Sequence, residues 1–250
     1  MISCQLKGGL GNQLFQIATS FSYALDANID FKLSSPLLDK WGCMQGESPK
    51  VYLGNVFSDI DTTPHIPNNT YNEPSFTYQK IPDGLTDYIF NGYFQSEKYF
   101  KHNGEAILSL FNFEKFKGLV DKYDCENACS IAVRRGDYLK RRRIYNVLDM
   151  EYYNKAMDTT NCDKYIVHSD DINWCKANLI GDKFIFADLP PPAIIYLTSI
   201  CKHNIIANST LSWWGAWLNK NKHKKVICPK LWFTNKESSR DLIPKDWINV

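Results

Sequence analysis

Apolar and polar positions recur with different periods along the chain, and each change of period marks an element. Met1 to Leu6 is a short, mostly apolar run that reads as a strand, and KGGLG behind it reads as a tight turn. From Asn12 to Leu25, the side chains of Leu14, Ile17, Ala18, Phe21 and Leu25 recur at helical spacing and share one face. In NIDFKL, Ile29, Phe31 and Leu33 alternate with polar residues, the period of a second strand. The chain therefore opens as β-α-β. Beyond it, Pro36, Pro49, Pro64, Pro67, Pro74 and Pro82 interrupt every longer pattern up to Asn91, which predicts short strands and loops there.

The second half is more regular. The runs SIAV (130–133), KYIVH (164–168), KFIFA (183–187), NIIA (204–207) and KKVIC (224–228) are short and rich in branched side chains. Continuous apolar runs of this length suit parallel strands covered on both faces. INWCKANL, PAIIYLTSICK and TLSWWGAWLNK between them predict crossover helices, the second opening on prolines where a first turn tolerates them. The fold class is α/β. The pattern changes from proline-broken to regular between Phe100 and Cys129, and we place the boundary so that 1–115 and 116–250 are separate domains.

Charge and composition remove several function classes. With 29 basic and 27 acidic residues the net charge is +2, which supplies no field for nucleic acid or a membrane surface. LKRRR, from Leu139 to Arg143, is a local exception, either a solvated loop or an attractor of an anionic ligand. No stretch reaches the roughly 20 apolar residues of a membrane span, and no leader opens the sequence. Eight cysteines scattered through apolar runs read as reduced interior thiols, so a soluble, cytoplasmic protein is expected. Cys125 and Cys129 lack the CxxC or HExxH partners of a metal site. No metal is expected. Asp59–Asp61, DID, has the form of a metal-binding DxD, a common three-residue pattern.

Candidate chemistry gathers where strands end. In an open parallel sheet, ligands bind beyond the carboxyl ends of the strands. There SIAV delivers RRGDY, KYIVH delivers SDD and NIIA delivers NST. Arg134 and Arg135 can grip a phosphate through parallel charge-assisted hydrogen bonds. Asp137 can orient them or act as a base. Asp170 and Asp171 can cap the next helix or accept from a purine or ribose. Asn208, Ser209, Thr210 and Ser212 stand at a helix N-terminus, whose free N–H groups and dipole attract an anion. The helix behind them, with Trp213, Trp214 and Trp217, is apolar nearly all round and should be buried, with Gly215 admitting a close neighbour. At the front, GGLGN lacks the third glycine of GxGxxG and the Lys-Ser/Thr of a P-loop, so hydride cofactors and ATP are poorly supported. Gly9, Gly11 and Asn12 still permit close backbone approach to a nucleotide.

In this order, GGLGNQLFQIA, VRRGDY, HSDD and NSTLSWWGAWL resemble the motif set of the α-1,2-fucosyltransferases, glycosyltransferase family eleven. The resemblance spans Gly8 to Leu218. It implies two Rossmann-like domains facing a cleft (GT-B type), an acceptor-side domain over 1–115 and a nucleotide-sugar-binding domain over 116–250. It implies GDP-L-fucose as donor, a glycan acceptor such as the 2-OH of a galactoside, inversion at the anomeric carbon, and no cofactor or required metal. By the same resemblance Arg134 falls on the diphosphate-gripping arginine, Asp170 or Asp171 on the base- or ribose-contacting acid, and Ser209 to Ser212 on the phosphate-facing loop. Similar enzymes carry histidine two residues before the arginine pair, where this chain has Ala132. That departure keeps two alternatives in play, a nucleotide-sugar binder without transferase activity and a transferase of a different sugar.

Overall fold

The computed structural model describes residues 1–38, 47–234 and 239–250. They divide into two compact units, Met1–Lys115 with Arg240–Pro244, and Phe116–Ser239 with Lys245–Val250. The sequence pattern assigns everything beyond 116 to the second domain, but Arg240–Pro244 belongs to the first. Asp241 shows why. Its carboxylate accepts from the Tyr78 amide at 3.0 Å and pairs with Lys98, and its carbonyl accepts from Ser96 Oγ at 2.7 Å.

The first unit is built on β1 (Ile2–Cys4), α1 (Leu10–Asp26) and α2 (Ser35–Leu38), followed by β2 (Asn69–Asn72), β3 (Tyr88–Asn91) and α3 (Gly104–Leu110). Its three strands are parallel in the order β1-β3-β2. Leu14, Phe15, Ile17 and Ala18 of α1 are fully buried, whereas Leu25, counted on the same face from sequence, is exposed. The strand expected over NIDFKL is a single bridge from Phe31 to Ile2. Ile2 donates to Asp30 and accepts from Lys32, after which the Leu33 amide turns to the Asp61 carbonyl, so the ladder stops after two bonds.

The second unit carries α4 (Lys117–Val120), β4 (Cys129–Val133), α5 (Met150–Thr160), β5 (Tyr165–Ser169), α6 (Ile172–Asn178), β6 (Phe184–Phe186), α7 (Pro191–Ile200), β7 (His203–Ile205), α8 (Thr210–Leu218), β8 (Val226–Cys228) and β9 (Ile248–Asn249). All six strands are parallel, in the order β6-β5-β4-β7-β8-β9. Counted within the unit this is 3-2-1-4-5-6, the doubly wound order whose direction of growth reverses between the first and fourth strands. Apolar side chains cover both faces. Ile131, Val133 and Val167 pack with Tyr152, Tyr153 and Cys175 on one side, and Ile166 packs with Ala193, Leu197 and Cys201 on the other.

Helix ends follow local chemistry. Asp149 caps α5 by accepting from the Tyr152 amide, and Asn161 ends it in the left-handed region at φ 50°. Pro191 opens α7, as its fixed φ favours. Trp213 and Trp214 are fully buried, with Trp213 also meeting Trp217 and Trp247, so the tryptophans of α8 serve the core. A Cβ at Gly215 would lie 2.6 Å from Cβ and Cγ2 of Thr198, so glycine is what lets α8 meet α7. Among the described residues, no helix is long and apolar enough to cross a membrane.

Candidate active site

Reversal of winding between β4 and β7 leaves a crevice at their carboxyl ends, where neither following helix covers the sheet. A pocket of about 200 Å³ opens there. Arg134 follows β4, His168 and Ser169 close β5 and Asp170 follows it, Asp188 follows β6, and Ser209 and Ser212 begin α8. All of them line this pocket. Of the residues named from sequence, Arg134, Asp170, Ser209 and Ser212 thus come together.

A carboxylate lattice holds the arginine pair. Arg134 Nη1 lies 2.8 Å from Asp170 Oδ2, and Nη2 lies 2.6 Å from Asp137 Oδ1. Asp170 Oδ1 accepts from the Arg135 amide at 2.9 Å. Arg135 Nε reaches Asp171 Oδ2 at 3.2 Å, and its guanidinium lies 4.2 Å from the Trp174 ring centre. Two carboxylates therefore fix the plane of Arg134, while a guanidinium carries five N–H donors and each terminal nitrogen keeps one to spare. Its side chain is 37% exposed, so those donors are accessible. Asp171 also caps α6 through the Trp174 amide at 3.2 Å. Arg135, Asp137 and Asp171 thus support the pocket from behind and do not line it.

The start of α8 is uncapped. Ser209 sits at its N-cap with an extended backbone and makes no side-chain cap bond, and no acidic residue occupies the first turn. Ser212 Oγ donates back to the Ala207 and Ser209 carbonyls at 3.1 and 2.9 Å, fixing the turn. Asn208 is fully buried. Its Nδ2 donates to the Asn146 and Trp232 carbonyls at 2.8 Å each, and its carbonyl accepts from Tyr138 Oη at 2.9 Å. Asn208 and Thr210 do not line the pocket; Asn208 ties the loops around it together.

Gly9, Gly11 and Asn12 belong to the first unit. Gly9 precedes α1 and Gly11 lies inside it, buried. The turn that demands glycine is at Gly8, with φ +79° and a would-be Cβ 2.3 Å from Asn12 Nδ2. Two buried glutamines of α1 shape that turn. Gln16 exchanges hydrogen bonds with the Lys7 amide and carbonyl, and Gln13 Nε2 donates to the Gly8 carbonyl. Asn12 Oδ1 accepts from Gln95 Nε2 at 2.9 Å.

The DID residues make local bonds: Asp61 pairs with Lys32 at 2.9 Å and accepts from the Thr63 amide, and Asp59 accepts from Ser58. Among the described residues no trio of His, Cys, Asp or Glu is grouped to hold a metal ion. The seven described cysteines are free thiols; Cys43 lies outside the described residues.

Asp188 lines the pocket without having been singled out from sequence, and His168, the first residue of HSDD, lines it without having been given a role there. Burial pushes the His168 imidazole down from 6.5 to about 4, so it is neutral near pH 7. Asp188 was legible in principle, since DLP follows the KFIFA run as SDD follows KYIVH.

The family model described as "Glycosyl transferase family 11" matches residues 65–250, the whole pocket included. The chain belongs to this family. It is a glycosyltransferase. Relatives in the family include the O-antigen biosynthesis glycosyltransferase WbnK of Escherichia coli, 31% identical over 100% of both chains. An alpha-1,2-colitosyltransferase of Escherichia coli is 28% identical over 100% of this chain and 99% of its own. The galactoside 2-alpha-L-fucosyltransferase Sec1 of Mus musculus is 26% identical over 87% of this chain and 64% of its own. Among solved structures, the fucosyltransferase NodZ from Bradyrhizobium is similar with a TM-score of 0.56 at 12% identity, over 86% of this chain and 92% of that one. This likeness identifies the fold as GT-B type, α/β with parallel sheets.

Proposed function

We propose that this family 11 enzyme transfers L-fucose from GDP-L-fucose to a glycan hydroxyl, the 2-OH of a galactoside, with inversion and without a metal. The observation that carries the proposal is the convergence of Arg134, Asp170 and the uncapped start of α8 on one pocket at the winding reversal. The relatives support the choice of reaction, since one is named for 2-alpha-L-fucosyl transfer to galactosides. A NodZ structure soaked with GDP-fucose supports the choice of donor for a fold of this type.

The chemistry is governed by charge. Breaking the glycosidic bond leaves a nucleoside diphosphate while the sugar becomes oxocarbenium-like, so stabilising the departing anion dominates the barrier. Arg134 would meet the diphosphate with its spare N–H donors, and the first-turn amides of α8 would meet it from the other side. Asp137 and Asp170 hold the guanidinium in place beforehand, which spares reorganisation during the reaction. Asp170 and Asp188 also suit the N–H edge of guanine or the ribose hydroxyls, which need acceptors.

Colitose, named for the second relative, is the specific rival donor sugar. Acceptor-dependent GDP release over a panel of donors and galactosides tests the proposal. Release with GDP-fucose and a galactoside supports it, and release only with another activated sugar selects the rival. GDP binding with no transfer to any acceptor would leave a binding protein.

A further inference from the structure

The polar ring buried in this pocket has no part in the chemistry above. His168 is 6% exposed, on a strand where Ile166, two residues earlier on the same face, packs among Ala193, Leu197 and Cys201. An aliphatic side chain would continue that pattern without the cost of desolvating an imidazole. Its Nε2 lies 3.4 Å from Thr198 Oγ1, a buried hydroxyl on α7. Among the described residues no hydrogen bond uses Nδ1, and the residue lines the pocket. A neutral imidazole presents one donor and one acceptor, so one remains to offer a ligand.

Its neighbour across the sheet completes the picture. Ala132 on β4 is the register partner of His168 on β5, so the two side chains stand side by side on one face, with strands about 4.8 Å apart. Both line the pocket. Position 132 is where the motif resemblance places a histidine and this chain has only a methyl group. The imidazole missing from one strand stands at the paired position of the next.

We propose that His168 contacts the nucleoside diphosphate of the donor, in the space that Ala132 leaves, and that the two positions form one exchangeable binding element. This rests on the donor reading given above. Thr198 holds the ring from behind and is itself held by the close approach at Gly215, so the imidazole is set before the ligand arrives.

Calorimetric titration of the full chain with GDP tests this with the parent, His168→Ala, and the double variant Ala132→His/His168→Ala. We expect His168→Ala to weaken GDP binding about tenfold, the scale of one buried hydrogen bond, and the double variant to regain most of the loss. A histidine-labelled NMR titration of the parent, with five histidines to resolve, provides a readout that survives if a variant misfolds. The His168 ring signals should shift on GDP addition. Unaltered affinity in His168→Ala, or His168 signals unmoved at saturating GDP, overturns the contact. A double variant no tighter than His168→Ala overturns the exchange. A parent that fails to bind GDP overturns the donor reading and this inference together, whereas a parent that binds and a His168→Ala that binds equally overturns this inference alone.

Discussion

Asp170 joins the two arginines: one carboxylate oxygen lies 2.8 Å from Arg134 Nη1, and the other accepts from the Arg135 amide at 2.9 Å. The guanidinium proposed to receive the leaving group is therefore aimed by the end of the neighbouring strand. Arg134→Ala should lower kcat/KM on the order of 100-fold or more, the cost of removing one preorganised donor at a developing anion. Because charge is supplied by this side chain and by helix amides, activity should persist in excess EDTA. Turnover within fivefold of the parent in Arg134→Ala, or loss of activity in EDTA that Mg²⁺ or Mn²⁺ restores, would count against the assignment.

Gly136 is the point of contact between the two strand ends. A Cβ there would lie 2.5 Å from Asp170 Oδ2, the oxygen that pairs with Arg134. The carboxylate can swing aside, so the fold should survive Gly136→Ala, but the pairing should not. We expect about a tenfold loss in kcat/KM, one hydrogen bond's worth, with little change in Tm. Steady-state kinetics beside thermal unfolding check this; equal kcat/KM in variant and parent contradicts it.

Stability should fall with acid partly through His168. Burial holds the folded-state value at about 4 against an ordinary 6.5, so between these pH values the unfolded chain binds the additional proton. The contribution is intact above pH 6.5 and is lost as pH falls towards 4, on the order of 3 kcal/mol at most. Urea unfolding at pH 7 and pH 4.5 should therefore show a smaller acid loss in His168→Phe than in the parent. Equal losses would refute the buried, neutral state.

Cys162 should react faster than the five described thiols that burial pushes up. A hydrogen bond with Cys129 is the main cause of its fall to about 7, helped by the charge of Lys202, and it is partly exposed. Burial raises Cys4, Cys129, Cys175, Cys201 and Cys228 instead. Brief iodoacetamide treatment at pH 7 and then peptide mapping should label Cys162 before these five, and Cys129→Ala should slow it. Faster labelling of any of the five would contradict the assignment.

Much of the second unit was legible because β4, β5, β7 and β8 are buried on both faces and so read as continuous apolar runs. β2, with the sequence NTYN, and β9, with both residues exposed, present no such run. NIDFKL has strand periodicity but only one neighbour for two bonds, a tertiary fact that periodicity does not carry. At the pocket, Arg134, Asp170, Ser209 and Ser212 were legible because each lies just beyond the carboxyl end of an apolar run. His168 was not, because a histidine inside an apolar strand looks like core, and its pairing with Ala132 depends on register between strands distant in sequence. The closeness of Gly136 to Asp170 is hidden for the same reason.

The central claim is that a diphosphate is held between Arg134 and the first turn of α8, and a crystal structure of the protein with GDP tests it most directly. Diphosphate oxygens should lie within about 3 Å of the Arg134 guanidinium and of the amides just beyond Ser209. GDP bound elsewhere, with Arg134 still engaged only by Asp137 and Asp170, would contradict it.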